Sequence, residues 1–202
     1  MDYEMGNLKS VSNCLKYLNI KNIVTDNPRV IMNANGIILP GVGAFKDAMI
    51  QLRKKNLIDV IYKIVDEGKP LLGICLGLQL LYSRSSEMGE TKGLNIIEGD
   101  VIEFDKAKVD KVPHIGWNNV KFQDLNHFLI EDIPDNSFFY FANSYYVISK
   151  KSNYCIGLTR YRDIEFSSIV GRNHIIATQF HPEKSSKNGV KIYQNFINYC
   201  KK

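Results

Sequence analysis

Apolar and polar residues recur along this chain with two different periods. Near the start, Leu8, Val11, Leu15 and Leu18 repeat every three or four residues, the spacing of one buried helix face, and Asn7 stands before them as an N-cap. Cys14 lies beside that stripe and reads as a small core residue. NIVTD (22–26) reads as a short strand, and GIILPGVGAF (36–45) as an apolar strand running into a glycine-rich turn. Phe45, Ala48, Met49 and Leu52 restore the helical spacing. A further helix over about Leu57–Glu67 ends at Gly68, with Pro70 beyond it as a stop signal. PLLGI (70–74) is then a strand and LQLLYSRS (78–85) a helix.

Strand and helix in alternation predict a parallel sheet. After about residue 95 the texture changes. GDVIEF, NNVKF, SFFYFANSYYVI, CIGLTRY and FSSIVGRNHIIATQF are strand-like pieces with short polar turns, which suits antiparallel pairing. VKIYQNFINYC is a final amphipathic helix. The predicted fold is α/β: a mostly parallel central sheet with helices on both faces and an antiparallel extension. No repeat, low-complexity tract or linker interrupts the 202 residues, so 1–202 reads as one domain.

Composition narrows the function classes. There is no run of ~20 apolar residues, so no membrane span is expected. Asp2 and Glu4 break any signal-peptide pattern, which predicts a cytoplasmic protein. The net charge of +5 comes from scattered lysines, a solvated surface rather than a nucleic-acid footprint. The four cysteines, Cys14, Cys75, Cys155 and Cys200, form no C-x-x-C pair, which argues against zinc and against a dithiol redox site. Cys155 and Cys200 read as packing residues in a strand and the last helix.

Cys75 is different. Gly73-Ile74-Cys75-Leu76-Gly77 is G-x-C-x-G between a strand and a helix, the thiol form of a nucleophile elbow. The helix N-terminus favours a thiolate, and the Leu76 N–H is placed to bind an oxyanion. Glycines there also suit a plain tight turn, so catalysis requires a base, an orienting group and a second donor elsewhere. Among the histidines, His127 and His174 lie in polar surroundings, and His114 after Pro113 suits a structural role. His181 ends the apolar strand IIATQF and is followed by Pro182-Glu183. In extended chain, i and i+2 share a side, so Glu183 can orient His181 with Pro182 stiffening the backbone between them. A salt-bridged turn is the bland alternative. Both motifs fall at strand ends, where α/β folds place their sites. Gly41-Val42-Gly43 also follows a strand. Lys46 stands where a dinucleotide motif would have its third glycine, so this turn reads better as the second oxyanion donor.

PGVGAF, GICLGLQLL, KVPHIGWN, NSYY and QFHPEKS, in this order, resemble the class I glutamine amidotransferases, a flavodoxin-like α/β family, over essentially the whole chain. PGVGAF, the histidine–glycine–tryptophan stretch and GNLKSV near the start resemble the glutaminase subunits of imidazole glycerol phosphate synthase in particular. The resemblance implies a Cys75–His181–Glu183 triad that hydrolyses L-glutamine through a thioester. It implies an oxyanion hole at Leu76 and the Gly41-Val42-Gly43 turn, and a glutamine head group held by Gln79 and Asn143-Ser144-Tyr145. It implies a heterodimer with a (β/α)₈ cyclase that receives the ammonia, docked near Asn7, Trp117 and Lys184, with no metal or organic cofactor. Such subunits should be weak alone, and partner binding should order the flexible Pro40–Gly43 turn.

Two departures stand out. Family members begin with an apolar strand before the D-Y-x-x-G-N segment, so several apolar residues are expected to precede Asp2. Asn143 stands where many members carry histidine; it can donate and accept but not be cationic. The rival readings are a related glutaminase that supplies a surface-sugar amidotransferase, another cysteine hydrolase such as a small peptidase, and a silent binding subunit. A pyridoxal-phosphate synthase glutaminase would show a G-G-E-S-T pattern, which is absent.

Overall fold

The computed structural model describes residues 1–201. Helices α1 (Leu8–Tyr17), α2 (Pro28–Met32), α3 (Phe45–Lys54), α4 (Leu57–Asp66) and α5 (Leu76–Leu80) accompany strands β1 (Ile37–Gly41) and β2 (Leu71–Cys75). Then come β3 (Tyr82–Ser85), β4 (Thr91–Lys92), β5 (Ile97–Glu103), β6 (His114–Phe122), β7 (Ser137–Asn143), β8 (Tyr145–Ser149), β9 (Cys155–Tyr161), β10 (Ile164–Arg172) and β11 (Ile175–Thr178). Helix α6 (Ser186–Tyr199) closes the chain. Asn7 caps α1 as its side chain predicts, accepting the Ser10 N–H.

The larger sheet runs β1-β2-β11-β10-β9-β6-β7. β1, β2 and β11 are parallel, and the remaining four strands each run antiparallel to their neighbours. The parallel part is therefore three strands, and the antiparallel extension is the longer part. The short connections explain this. β9, β10 and β11 are joined by tight turns in which Arg162 and Asn173 take φ values of 54° and 57°, and such turns reverse the chain. β4, β3, β5 and β8 form a second sheet.

Alternation along the parallel strands feeds two cores. Leu71, Ile175 and Ala177 face one side, with Phe45, Ala48, Leu52, Leu57, Ile61 and Ile64 of α3 and α4 packed against them. Leu72, Ile74 and Ile176 face the other side, against Val11 and Leu15 of α1 and Ile192, Tyr193 and Phe196 of α6. Burying each such side chain contributes roughly 1.5–3 kcal/mol. The two-sided burial is why these strands read as continuous apolar runs.

Three segments differ from the sequence reading. LQLLYSRS splits into the end of α5 and strand β3. Its backbone bonds sideways instead of up a helix: Leu94, Asn95 and Ile96 donate to the carbonyls of Leu80, Tyr82 and Leu81. SFFYFANSYYVI breaks at Ser144, and β7 and β8 enter different sheets. NIVTD forms no strand. β1 is the outermost strand, and beside it runs a groove of ≈ 850 Å³ lined in part by Val11, Leu15, Ile20, Ile23, Ile37 and Ile38. Without a ladder to join, Ile23 and Val24 stay 64% and 47% exposed. Among the described residues no helix is long and apolar enough to cross a membrane.

The contact that seats α5 depends on glycine. A Cβ on Gly77 would lie 1.8 Å from the Leu39 carbonyl oxygen in β1. Gly77→Ala is therefore expected to destabilise the protein by more than about 3 kcal/mol. Gly89→Ala, with nothing within 4 Å of the added carbon and only a positive φ to oppose it, should cost about 1 kcal/mol. Urea titration of the two variants checks the difference.

Candidate active site

The C-terminal ends of β1, β2 and β11 lie side by side, with Gly41 opposite Cys75 and Thr178 opposite Ile74. That register brings together three segments far apart in sequence: the Gly41–Gly43 turn, the Cys75 elbow and the stretch from Gln179 to Glu183. Cys75 takes φ 53° and ψ −107°, a conformation that costs of order 1–3 kcal/mol and needs a surrounding structure to hold it. Its helix follows at once, so the Leu76 N–H lies in the first turn and has no intrahelical acceptor. Gly41 is required by closeness: a Cβ there would meet the Tyr3 hydroxyl at 2.4 Å and the Leu76 Cβ at 2.8 Å.

His181 and Glu183 fall on one side of the extended chain. His181 Nδ1 sits 2.8 Å from Glu183 Oε1, with both side chains almost fully buried. The far carboxylate oxygen accepts the Tyr193 hydroxyl. The backbone around His181 is pinned from β7: its N–H donates to the Tyr140 carbonyl, and the Ser185 hydroxyl donates to the His181 carbonyl while accepting the Tyr140 N–H. Burial alone would lower the His181 pKa. The adjoining Cys75 sulfur and Glu183 carboxylate outweigh it and raise the value to about 10. Cys75, His181 and Glu183 thus form one buried set, with the carboxylate orienting the imidazole.

Beside this couple, Gln79 and Asn143 both donate to the Tyr145 carbonyl, at 3.1 and 3.0 Å. Asn143 Oδ1 is buried and unpartnered. Ser144 is half-buried, with its carbonyl accepting the Phe104 N–H. Two further residues lie here that the sequence reading did not flag. Gln179 contacts both Gln79 and Cys75. Glu87 accepts the Phe45 N–H at 2.6 Å, at the start of the helix that follows the glycine turn, and its charge acts on Tyr145. The only sequence signal for Gln179 was its place two residues before His181, on the same side of the chain. Glu87 carried no signal, because its place depends on the β3 segment read as helix.

The turn itself is partly committed elsewhere. The Val42 N–H donates to the Met5 carbonyl at 2.8 Å, so in this conformation it does not face the thiol as an oxyanion donor. Gly43 has φ 94°, and Val42 is 40% exposed.

Trp117 and Lys184 come together over Tyr140. The Trp117 ring meets it edge-on at 6.3 Å, and the Lys184 ammonium lies 5.5 Å from its centroid. Ile115, Trp117 and Phe138 extend an exposed apolar face along β6 and β7. Asn7 is engaged in its capping bond with the Ser10 N–H. His114 is buried between Phe141 and Tyr161, and burial lowers its pKa to about 4, so it is a neutral packing residue. His127 and His174, read as surface residues, are half-buried.

The chain belongs to the class-I glutamine amidotransferases: that family's model matches residues 1–199. Solved structures agree on the fold. A crystal structure of a glutamine amidotransferase superposes with a TM-score of 0.73 over 98% of this chain and 96% of that one, at 17% identity. The structure of PurLQS from Thermotoga maritima gives 0.75 over 98% and 95%, at 16% identity. Within the class the chain belongs with the HisH subunits of imidazole glycerol phosphate synthase. It is 43% identical over 200 residues to that of Geobacillus sp. (strain WCH70), covering 97% of this chain and 93% of the relative. It is 44% identical over 204 residues to that of Methanosarcina barkeri, covering 99% and 97%.

The raised His181 pKa has a readable consequence. Replacing Cys75 with Ala removes the leading group that raises the His181 pKa, so in Cys75→Ala the imidazole should titrate below its native value, as followed by the NMR shift of its ring protons. A raised pKa also stabilises the fold fully below the unfolded histidine value of about 6.5, and that contribution fades as pH rises to about 10.

Proposed function

We propose that residues 1–202 act as one cytoplasmic glutaminase domain in which Cys75 is the nucleophile, His181 the proton carrier and Glu183 its orienting group. The observation that carries this reading is the buried couple of Cys75 and His181 with Glu183 at 2.8 Å. The Cys75 thiolate attacks the side-chain amide carbon of L-glutamine. The imidazolium gives its proton to the departing nitrogen, which leaves as ammonia. A water, deprotonated by the now neutral His181, then cleaves the glutamyl thioester, returning the thiolate and releasing glutamate.

The neighbouring groups suit that substrate. Gln79 and Asn143 have their amide hydrogens directed at the Tyr145 carbonyl, which leaves their oxygens for donors on the substrate. Glu87 and Glu103, whose charges act on Tyr145, match an α-ammonium group. Leu76 supplies one oxyanion donor, and the Gly41-Val42-Gly43 turn supplies the second only after rearranging, since the Val42 N–H is held by Met5. The ammonia passes to a (β/α)₈ cyclase subunit that makes imidazole glycerol phosphate, docked on the exposed face built by Ile115, Trp117, Phe138 and Lys184. Neither step calls on a metal or organic cofactor.

The test is ammonia release from glutamine by the chain alone, with the histidine-pathway cyclase, and with Cys75→Ala beside each. Release should depend on Cys75 and rise by roughly 10²–10³ with the cyclase, the usual worth of one oxyanion donor. Cysteine-dependent release that ignores this cyclase would turn the reading toward an amidotransferase of surface sugars. Trp117→Ala should weaken cyclase binding about 30-fold, the loss typical of an aromatic anchor, as measured by titration calorimetry.

A further inference from the structure

Gln179 is fully buried, two residues before His181, and is engaged on both ends of its amide. Its Nε2 lies 3.8 Å from Cys75 Sγ, and its Oε1 accepts from Gln79 Nε2 at 3.3 Å. Its backbone N–H donates to the Ser168 carbonyl, which fixes where the side chain starts. A buried amide is costly unless paired, and both of the partners here belong to the reaction: the attacking sulfur and a residue at the glutamine pocket.

The direction of these bonds is not free. A backbone carbonyl only accepts, so the Tyr145 carbonyl compels Gln79 to present its NH₂ group. The second hydrogen of that group then faces Gln179, which must answer with its oxygen. The Gln179 NH₂ is left pointing at the sulfur. Two side-chain amides in a row are thereby oriented by one main-chain carbonyl, over a sequence separation of 104 residues between Gln179 and Cys75.

We propose that Gln179 is a catalytic residue: its amide N–H donates to the Cys75 thiolate, holding it charged and aimed, and Gln79 with the Tyr145 carbonyl locks that amide in the donating orientation. This rests on reading Cys75 as the nucleophile. It gives the thiolate a donor besides His181, one in place before the sulfur attacks and again when thioester hydrolysis releases it. Hydrogen bonds to charged groups are the strong ones, so the effect should be visible in how readily the sulfur reacts.

The test is iodoacetamide alkylation of Cys75 against pH, read peptide by peptide by mass spectrometry on the full chain in its cyclase complex. The variants are Gln179→Glu, Gln179→Leu and Gln79→Met. Gln179→Glu keeps the acceptor for Gln79 and removes the donor to sulfur. It should slow alkylation at neutral pH by about tenfold or more, regain the native rate at high pH, and lower kcat with KM for glutamine near native. Gln179→Leu should slow alkylation and raise KM as well. Gln79→Met, which frees the Gln179 amide to turn, should slow neutral alkylation by less and carries the test should either Gln179 variant fail to fold. Native alkylation profiles in every folded variant would overturn the proposal. A native Cys75 that reacts no faster at neutral pH than Cys14 or Cys200, whose thiols burial raises to about 11, would instead sink the nucleophile reading itself.

Discussion

The site depends on one close approach. Helix α5 lies against β1 so tightly that only glycine fits at position 77, and Gly41 on the facing strand is held to the same limit by Leu76 and Tyr3. This approach determines how sharply the chain turns after β2, and the turn places Cys75 in its left-handed conformation. The strain there is sustained by a scaffold buried on both sides: three parallel strands clamped between α3 and α4 on one face and α1 and α6 on the other. Loosening the contact would let the elbow relax, and the sulfur would lose its position with respect to every other group in the site.

The reactive groups come from distant parts of the chain, yet few interactions hold them. The register of three parallel strand ends supplies the distances, and hydrogen bonds supply the directions. Glu183 and the Cys75 sulfur raise the His181 pKa although burial works against it. The Tyr145 carbonyl orients two side-chain amides at once. The glycine turn is the least committed part, since its Val42 N–H is spent on Met5. Rigid and unfinished components therefore sit within one pocket. Cys75 is fixed, and the Val42 N–H is turned away from it.

How far the sequence revealed this varies by residue, for physical reasons. The elbow at Cys75 and the His181–Glu183 pair were legible because each is a local pattern: glycines about a turn, and two side chains sharing one side of a strand end. Gln179 belongs to the same alternation, but nothing local distinguishes it from a core polar residue. Its partners lie 100 and 104 residues away. β3 was hidden because LQLLYSRS has helical apolar spacing, and only its pairing with β4 and β5 decides for a strand. NIVTD shows the reverse failure. Its β-branched residues favour a strand, but the segment has no ladder to join. The number of antiparallel strands was hidden too, since one reversal falls at Arg162, whose residue type does not announce a turn.

Tyr140 has two faces with different neighbours. Its carbonyl and N–H hold the His181 segment through a direct bond and through Ser185. Its ring carries Trp117 and Lys184 on the outside of the molecule. The wall between the His181 segment and the exposed face is thus a single residue thick at this point. Anything seated on that face would therefore press on the His181 segment through one backbone unit.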